Sequence, residues 1–198
     1  MNHGRVGVFL DRDGTLNEGL NYIKTPDQLQ LITGAGKAVR KLNERGLATC
    51  VISNQSGVAR GYLTEKDLVP IHEKLLRELA LCGATIDRIY YCPHHPTEGI
   101  PPYNILCGCR KPKTGMLKRG AADLGIDLDR SFVMGDSLVD MQAGNAAQAT
   151  TVLVLTGYGP TAREQCKSQN VRVDYVASTI VEATDFILDS LDRKKKEQ

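Results

Sequence analysis

No apolar run in this sequence approaches the ~20 residues that a membrane-spanning helix requires. No membrane partner is therefore expected. The opening residues, Met1–Arg5, lack the apolar segment of a secretory signal, and the expected location is the cytoplasm. Net charge is almost absent as well. Against 25 basic side chains stand 23 acidic ones, leaving +2, which gives no reason to expect nucleic acid. A disulfide framework is missing too. Cys50 falls within an apolar run and Cys82 at a helix end, where both read as small core residues. Cys166 sits in a polar stretch and suggests nothing. There is no internal repeat and no sign of a second domain. Residues 1–192 are expected to form a single domain acting as a monomer, and residues 193–198 a basic, disordered tail.

What is present suits a globular enzyme. An apolar content of 41% and a charged content of 24% are ordinary for a soluble domain. A chain of 198 residues buries about 70% of its unfolded surface and folds without staples. Short apolar runs that stop at turn residues read as buried strands: Val6–Leu10, Leu47–Ile52, Ile86–Tyr91, Phe132–Met134, Thr151–Leu155 and a short Tyr175–Val176. Helical spacing fills the gaps. Ala35, Ala38, Val39 and Leu42 precede Gly46. Leu68, Ile71, Leu75 and Leu79 follow a capping pattern, Thr64 to Asp67, and precede Gly83. Leu117, Ala121 and Leu124 run from a Thr114 cap to Gly125. Leu138, Met141 and Asn145 mark a fourth helix, and Thr179–Leu191 the last. The alternation implies a Rossmann-like α/β fold, a parallel sheet with helices on both faces.

The most informative stretch is Val6–Asn17, V-G-V-F-L-D-R-D-G-T-L-N. Asp11 and Asp13 are two residues apart, and in extended chain such residues face one side. Carboxylates that close repel unless a proton or a cation intervenes. A hard divalent cation such as Mg²⁺ suits oxygen ligands and keeps waters for a phosphate substrate. An Asp-rich turn explains D-x-D without any chemistry. Ser53–Ser56 and Asp136 also sit just past apolar runs. Ligands of open α/β sheets bind beyond the carboxyl ends of the strands, so the three clusters point to one site. Taken alone, Ser53-Asn54-Gln55 also reads as a turn capping the next helix. Gly19–Gln30 reads as a wall of the site or as a plain connector.

Cys92-x-His94, with His95 beside it, and Cys107-x-Cys109 bracket a long loop. Three thiolates and one imidazole make a closed structural zinc set with no position for water. Such a knot would fix Arg110 and Lys111, which follow it. The plain alternative is three unrelated thiols and a loop histidine.

The string D-x-D-G-T-L-N resembles the signature of the haloacid dehalogenase-like phosphatases. That resemblance implies roles. Asp11 matches the nucleophile that forms an aspartyl-phosphate. Asp13 matches the general acid/base, whose backbone carbonyl, not its side chain, ligates Mg²⁺. Ser53 matches the hydroxyl that holds phosphoryl oxygens, Lys111 the charge-compensating lysine, and Asp136 the remaining Mg²⁺ ligand. Asp140, one helical turn later, would orient Lys111 or favour its helix N-terminus. Among the histidines, His94 matches the zinc ligand.

C-P-H-H-P, the twelve-residue spacer from His94 to Cys107, and C-x-C-R-K-P-x-x-G-M narrow the resemblance. They are similar to the D-glycero-D-manno-heptose-1,7-bisphosphate 7-phosphatase family, up to about residue 160. The resemblance implies a capless fold whose loops shape the site. By analogy, Gly19, Leu20, Asn21, Tyr22, Ser53, Asn54, Gln55, Ser56, Arg110 and Lys111 contact the sugar phosphate. Arg110 would pair with the second phosphate. The implied reaction removes the 7-phosphate and supplies heptose 1-phosphate for lipopolysaccharide or surface polymers. Ser137 departs from the basic residue that relatives often carry there. Two alternatives stand beside this reading. A histidinol-phosphate phosphatase shares the knot but has a shorter loop. A non-catalytic, phospho-ligand-binding zinc scaffold predicts loss of Asp11 or Asp13, and both are present.

Overall fold

The computed structural model describes residues 4–19 and 22–196. Its strands are β1 (Gly7–Leu10), β2 (Ala48–Asn54), β3 (Arg88–Cys92), β4 (Phe132–Gly135), β5 (Thr150–Val154) and β6 (Tyr175–Ala177). They form one sheet in the order β3-β2-β1-β4-β5-β6, and every neighbouring pair is parallel. Parallel neighbours need crossover connections, usually helices. These are α1 (Ala35–Glu44), α2 (Ser56–Ala59), α3 (Glu65–Leu81), α4 (Gly115–Leu124), α5 (Leu138–Ala146), α6 (Gly159–Ser168) and α7 (Ile180–Lys196).

Alternation along each strand decides what packs where. Val8 and Leu10 of β1 join Val39 and Leu42 of α1, Ile71 and Leu75 of α3, and Ile180 and Ile187 of α7. Phe9, between them, joins Met116 and Leu117 of α4 and Ala143 of α5 on the opposite face. Leu153 of β5 meets Met141 of α5 with Ala162 and Cys166 of α6. Both faces are thus buried, which is why β1 and β4 read as unbroken apolar runs.

The structure departs from the sequence expectations at several points. Helix α6 was not foreseen, and α7 continues to Lys196. Residues 193–196 are therefore helical rather than a disordered tail, while residues 197–198 lie outside the described residues. Strand β2 runs on through Ser53 and Asn54. Thr114 makes no side-chain cap bond, whereas Thr64 and Asp67 do form the expected reciprocal pair, at 3.3 and 2.7 Å. Cys82, at the end of α3, is exposed rather than a core residue.

The strand order matters most for function. The chain lays β2 and β3 to one side of β1, then returns to place β4 on the other. A crevice opens where the order reverses, beyond the carboxyl ends of β1 and β4. Asp11 follows β1 and Asp136 follows β4.

Candidate active site

Asp11, Asp136 and Asp140 bring carboxylate oxygens within 4.8 Å of one another. Lys111 reaches into this group. Its Nζ lies 2.9 Å from Asp11 Oδ1 and 2.6 Å from Asp140 Oδ1, and it donates to the Ile52 carbonyl at 2.8 Å. Three partners use the three ammonium protons. Burial opposes the lysine's charge, but Asp11 and then Asp140 outweigh it and hold Lys111 above the usual lysine range. Burial pushes the Asp11 carboxyl up to about 8 against the pull of Lys111, and burial likewise raises Asp136 to about 7. Were all three carboxylates charged against the one ammonium, two negative charges would stand in this buried space. That deficit fits one divalent cation with oxygen ligands.

The walls of this space require glycine. Gly14 has φ +80°, and a β-carbon there would stand 2.0 Å from Asp136 Oδ2. At Gly157, φ +52°, a β-carbon would meet the same oxygen at 2.1 Å. The two residues close on Asp136 from both sides, and its Oδ2 accepts the Tyr158 N–H at 2.8 Å. Asp140 performs both of its anticipated tasks. Oδ1 pairs with Lys111, while Oδ2 accepts from the Ser137 N–H and Oγ at 3.1 and 2.5 Å at the start of α5.

Asp13 sits beside this group with a different set of partners. Arg12 Nε and Nη2 donate to Oδ1 at 3.0 and 2.9 Å, and Nη2 also reaches Oδ2 at 2.8 Å. Asn17 Nδ2 adds a bond to Oδ1, and Gln55 Nε2 one to Oδ2, each at 2.9 Å. Gln55 Nε2 also donates to Ser53 Oγ at 2.7 Å, so one amide links acid and hydroxyl. Asn54 works differently. Its side chain accepts the Lys111 N–H and donates to the Lys111 carbonyl, both at 3.0 Å. It thereby ties β2 to the segment carrying the lysine.

The second cluster is Cys92, His94, Cys107 and Cys109. Sulfur–sulfur separations are 3.2–3.5 Å, and His94 Nδ1 lies 3.6 and 3.5 Å from Cys92 and Cys109. No disulfide joins them. Four such donors around one tetrahedral ion would stand about 3.6–3.8 Å apart, so the set can hold a metal. His95 is occupied elsewhere. Its Nδ1 accepts the Glu98 N–H at 3.0 Å.

Comparisons with known proteins place this geometry in context. A family model described as HAD-hydrolase-like matches residues 108–183. A D-glycero-beta-D-manno-heptose-1,7-bisphosphate 7-phosphatase of Haemophilus ducreyi is 40% identical, covering 93% of this chain and 99% of that protein. The Escherichia coli protein of the same name is 44% identical over 76% of this chain and 79% of its own. The chain belongs to the heptose-1,7-bisphosphate 7-phosphatase family. Among solved structures, the D,D-heptose 1,7-bisphosphate phosphatase from B. bronchiseptica, complexed with magnesium and phosphate, superposes with a TM-score of 0.83. It is 32% identical, with 93% of this chain and 99% of that one covered. The counterpart from Burkholderia thailandensis gives 0.68 at 30% identity, covering 94% and 99%.

As a phosphatase of this family, the chain offers a cleft of about 230 Å³. Of the residues that sequence reasoning assigned, Asp11, Asp13, Tyr22, Ser53, Asn54, Gln55, Lys111 and Asp136 line it. Leu20 and Asn21 lie outside the described residues. Gly19 is exposed beside Gly14, and Ser56 opens α2 without lining the cleft. Arg110 does not line the cleft either; its Nη1 donates to the His94 carbonyl at 3.1 Å. Sequence reasoning missed Val139 and Tyr158, which do line it. Tyr158 could have been suspected from its place next to Gly157, just past the fifth strand.

Proposed function

We propose that this chain removes the 7-phosphate of D-glycero-D-manno-heptose 1,7-bisphosphate, supplying heptose 1-phosphate for lipopolysaccharide or surface-polymer synthesis. The observation that carries the reading is the convergence of Asp11, Lys111, Asp140 and Asp136 at the reversal in strand order, with Asp13 alongside. Its family supplies the substrate class. Asp11 attacks phosphorus and the bond to the leaving oxygen breaks, giving an aspartyl-phosphate. Asp13 hands its proton to that oxygen, then takes one from the water that cleaves the intermediate. Ser53 holds the transferring oxygens, and the Lys111 charge lowers the repulsion between nucleophile and phosphoryl group.

The charge deficit around Asp11 and Asp136 suits magnesium, held by these two side chains and the Asp13 carbonyl. When bound, the ion would neutralise charge between the nucleophile and the phosphoryl oxygens. The Cys92, His94, Cys107 and Cys109 set suits zinc in a structural role. It lies directly before Arg110 and Lys111, so filling it would fix the segment that delivers the lysine. Arg110, Gly19, Leu20, Asn21 and Ser56 complete substrate recognition on this reading, which also takes the enzyme as a cytoplasmic monomer. Sedimentation velocity would test the last point. Substitution Asp11→Asn tests the central one. Turnover on the heptose bisphosphate should fall to near background while zinc content and thermal unfolding stay unchanged; retained turnover would refute the assignment.

A further inference from the structure

Arg12 is fully buried, yet it is not the residue that attacks or protonates anything. Its guanidinium directs Nε and Nη2 to Asp13, with Nη2 also donating to Gln55 Oε1 at 3.2 Å, and leaves Nη1 for another partner. Nη1 finds His72 Nε2 on α3 at 3.3 Å, sixty residues along the chain. Arginine has no lone pair to offer, so His72 must accept with Nε2 and carry its proton on Nδ1. Burial, and after it the Arg12 charge, lowers the His72 pKa to about 4, which keeps the ring neutral and able to accept. The imidazole leans on the Tyr91 ring, with centroids 5.5 Å apart.

A guanidinium is planar, so fixing Nη1 fixes the plane in which Nε and Nη2 meet Asp13. Asp13 Oδ1 receives three N–H groups, from Arg12 Nε, Arg12 Nη2 and Asn17 Nδ2. Its Oδ2 receives two, from Arg12 Nη2 and Gln55 Nε2. The carboxyl plane of the acid is therefore set by an arginine that Gln55 holds from within the site and His72 from the outer helix layer. We propose that His72 is a positioning residue for the reaction: through Arg12 it aims the Asp13 carboxyl at the leaving-group oxygen. The proposal rests on the reading of Asp13 as acid/base. Apart from it, His72 would be a packing residue that merely satisfies a buried cation.

The two roles separate by leaving group. Proton donation matters for an alkoxide, such as the sugar oxygen, and hardly at all for 4-nitrophenolate, which leaves without a proton. The experiment compares kcat/KM on heptose 1,7-bisphosphate and on 4-nitrophenyl phosphate, which reports the phosphorylation half-reaction. The variants are His72→Phe, His72→Gln and Asp13→Asn, with thermal unfolding run on each. His72→Phe keeps the ring but removes the acceptor. It should lose about tenfold on the sugar phosphate and less than about twofold on the aryl ester. His72→Gln, whose amide oxygen can accept, should recover most of that loss. Asp13→Asn should show the same contrast more strongly, by about a hundredfold or more.

Equal losses on both substrates by His72→Phe, or no loss in a folded protein, would overturn the positioning role while Asp13→Asn keeps its contrast. If Asp13→Asn shows no contrast, the acid assignment itself fails and this proposal falls with it. Should His72→Phe not fold, His72→Met removes the acceptor in a flexible side chain, and the same criteria apply to it.

Discussion

Lys111 is held by two carboxylates and a carbonyl, and replacing it by methionine should separate its structural from its chemical contribution. Methionine keeps the stem but deletes the charge that lies 2.9 Å from Asp11 and 2.6 Å from Asp140. Breaking a buried ion pair from one side costs about 3–5 kcal/mol, because the partner is left uncompensated. With a urea m-value of about 3 kcal/mol per M, the unfolding midpoint in magnesium-free buffer should fall by about 1–1.7 M. Adding Asp140→Asn removes one of the stranded charges while retaining an acceptor for the Ser137 N–H. The double variant should therefore be more stable than the single by about 0.5–3 kcal/mol, a coupling of the size neighbouring charges show. Turnover should stay low in both, by about a hundredfold or more, since the compensating charge is gone from each. A midpoint shift below about 0.3 M, or a double variant no more stable than Lys111→Met, would refute the view that this lysine balances both acids.

Other outcomes follow from the same geometry. Asn54→Ala removes two bonds that hold the Lys111 backbone; it should cost about 2 kcal/mol in denaturant unfolding and lower kcat about tenfold with KM little changed. Elemental analysis should find about one zinc per chain. Cys109→Ser should lose it and expose the other cluster thiols to a thiol reagent. His72 should make the fold acid-sensitive. Its folded pKa is depressed to about 4, by burial first and Arg12 second, so below the unfolded value near 6.5 only the unfolded chain takes the proton. Stability present above pH 6.5 should thus be lost as pH falls toward 4, by up to about 3 kcal/mol. That part of the slope should vanish in His72→Phe, and an unchanged slope would contradict it.

The elements most easily read from sequence are those whose pattern is local. Phe9 between Val8 and Leu10 announces a strand buried on both faces, and the Asp11–Asp13 pair marks its end. Helix α6 was invisible because its core contacts are two small residues, Ala162 and Cys166, in an otherwise polar stretch. A small thiol there looks like an accident until β5 packs on it. At the cleft, side chains adjacent to a strand end were legible from the family motifs. The bond from Arg110 to the His94 carbonyl was not, since it depends on where the loop folds. The Arg12–His72 contact joins residues from different layers of the fold, and nothing in either neighbourhood hints at the other.

The cysteine–histidine cage has a consequence for how such enzymes diverge. It ties both ends of residues 95–106, with Ile100, Ile105 and Leu106 exposed along the span. Because the ends are held by the cage, added length between them costs little in closure entropy, about 0.6 kcal/mol for each doubling, and what a change would lose is the span's own contacts, such as the Ile100 N–H to the Ala59 carbonyl at 2.8 Å. A descendant could exchange that whole excursion for another while Asp11 and its neighbours on the strand ends stay where they are.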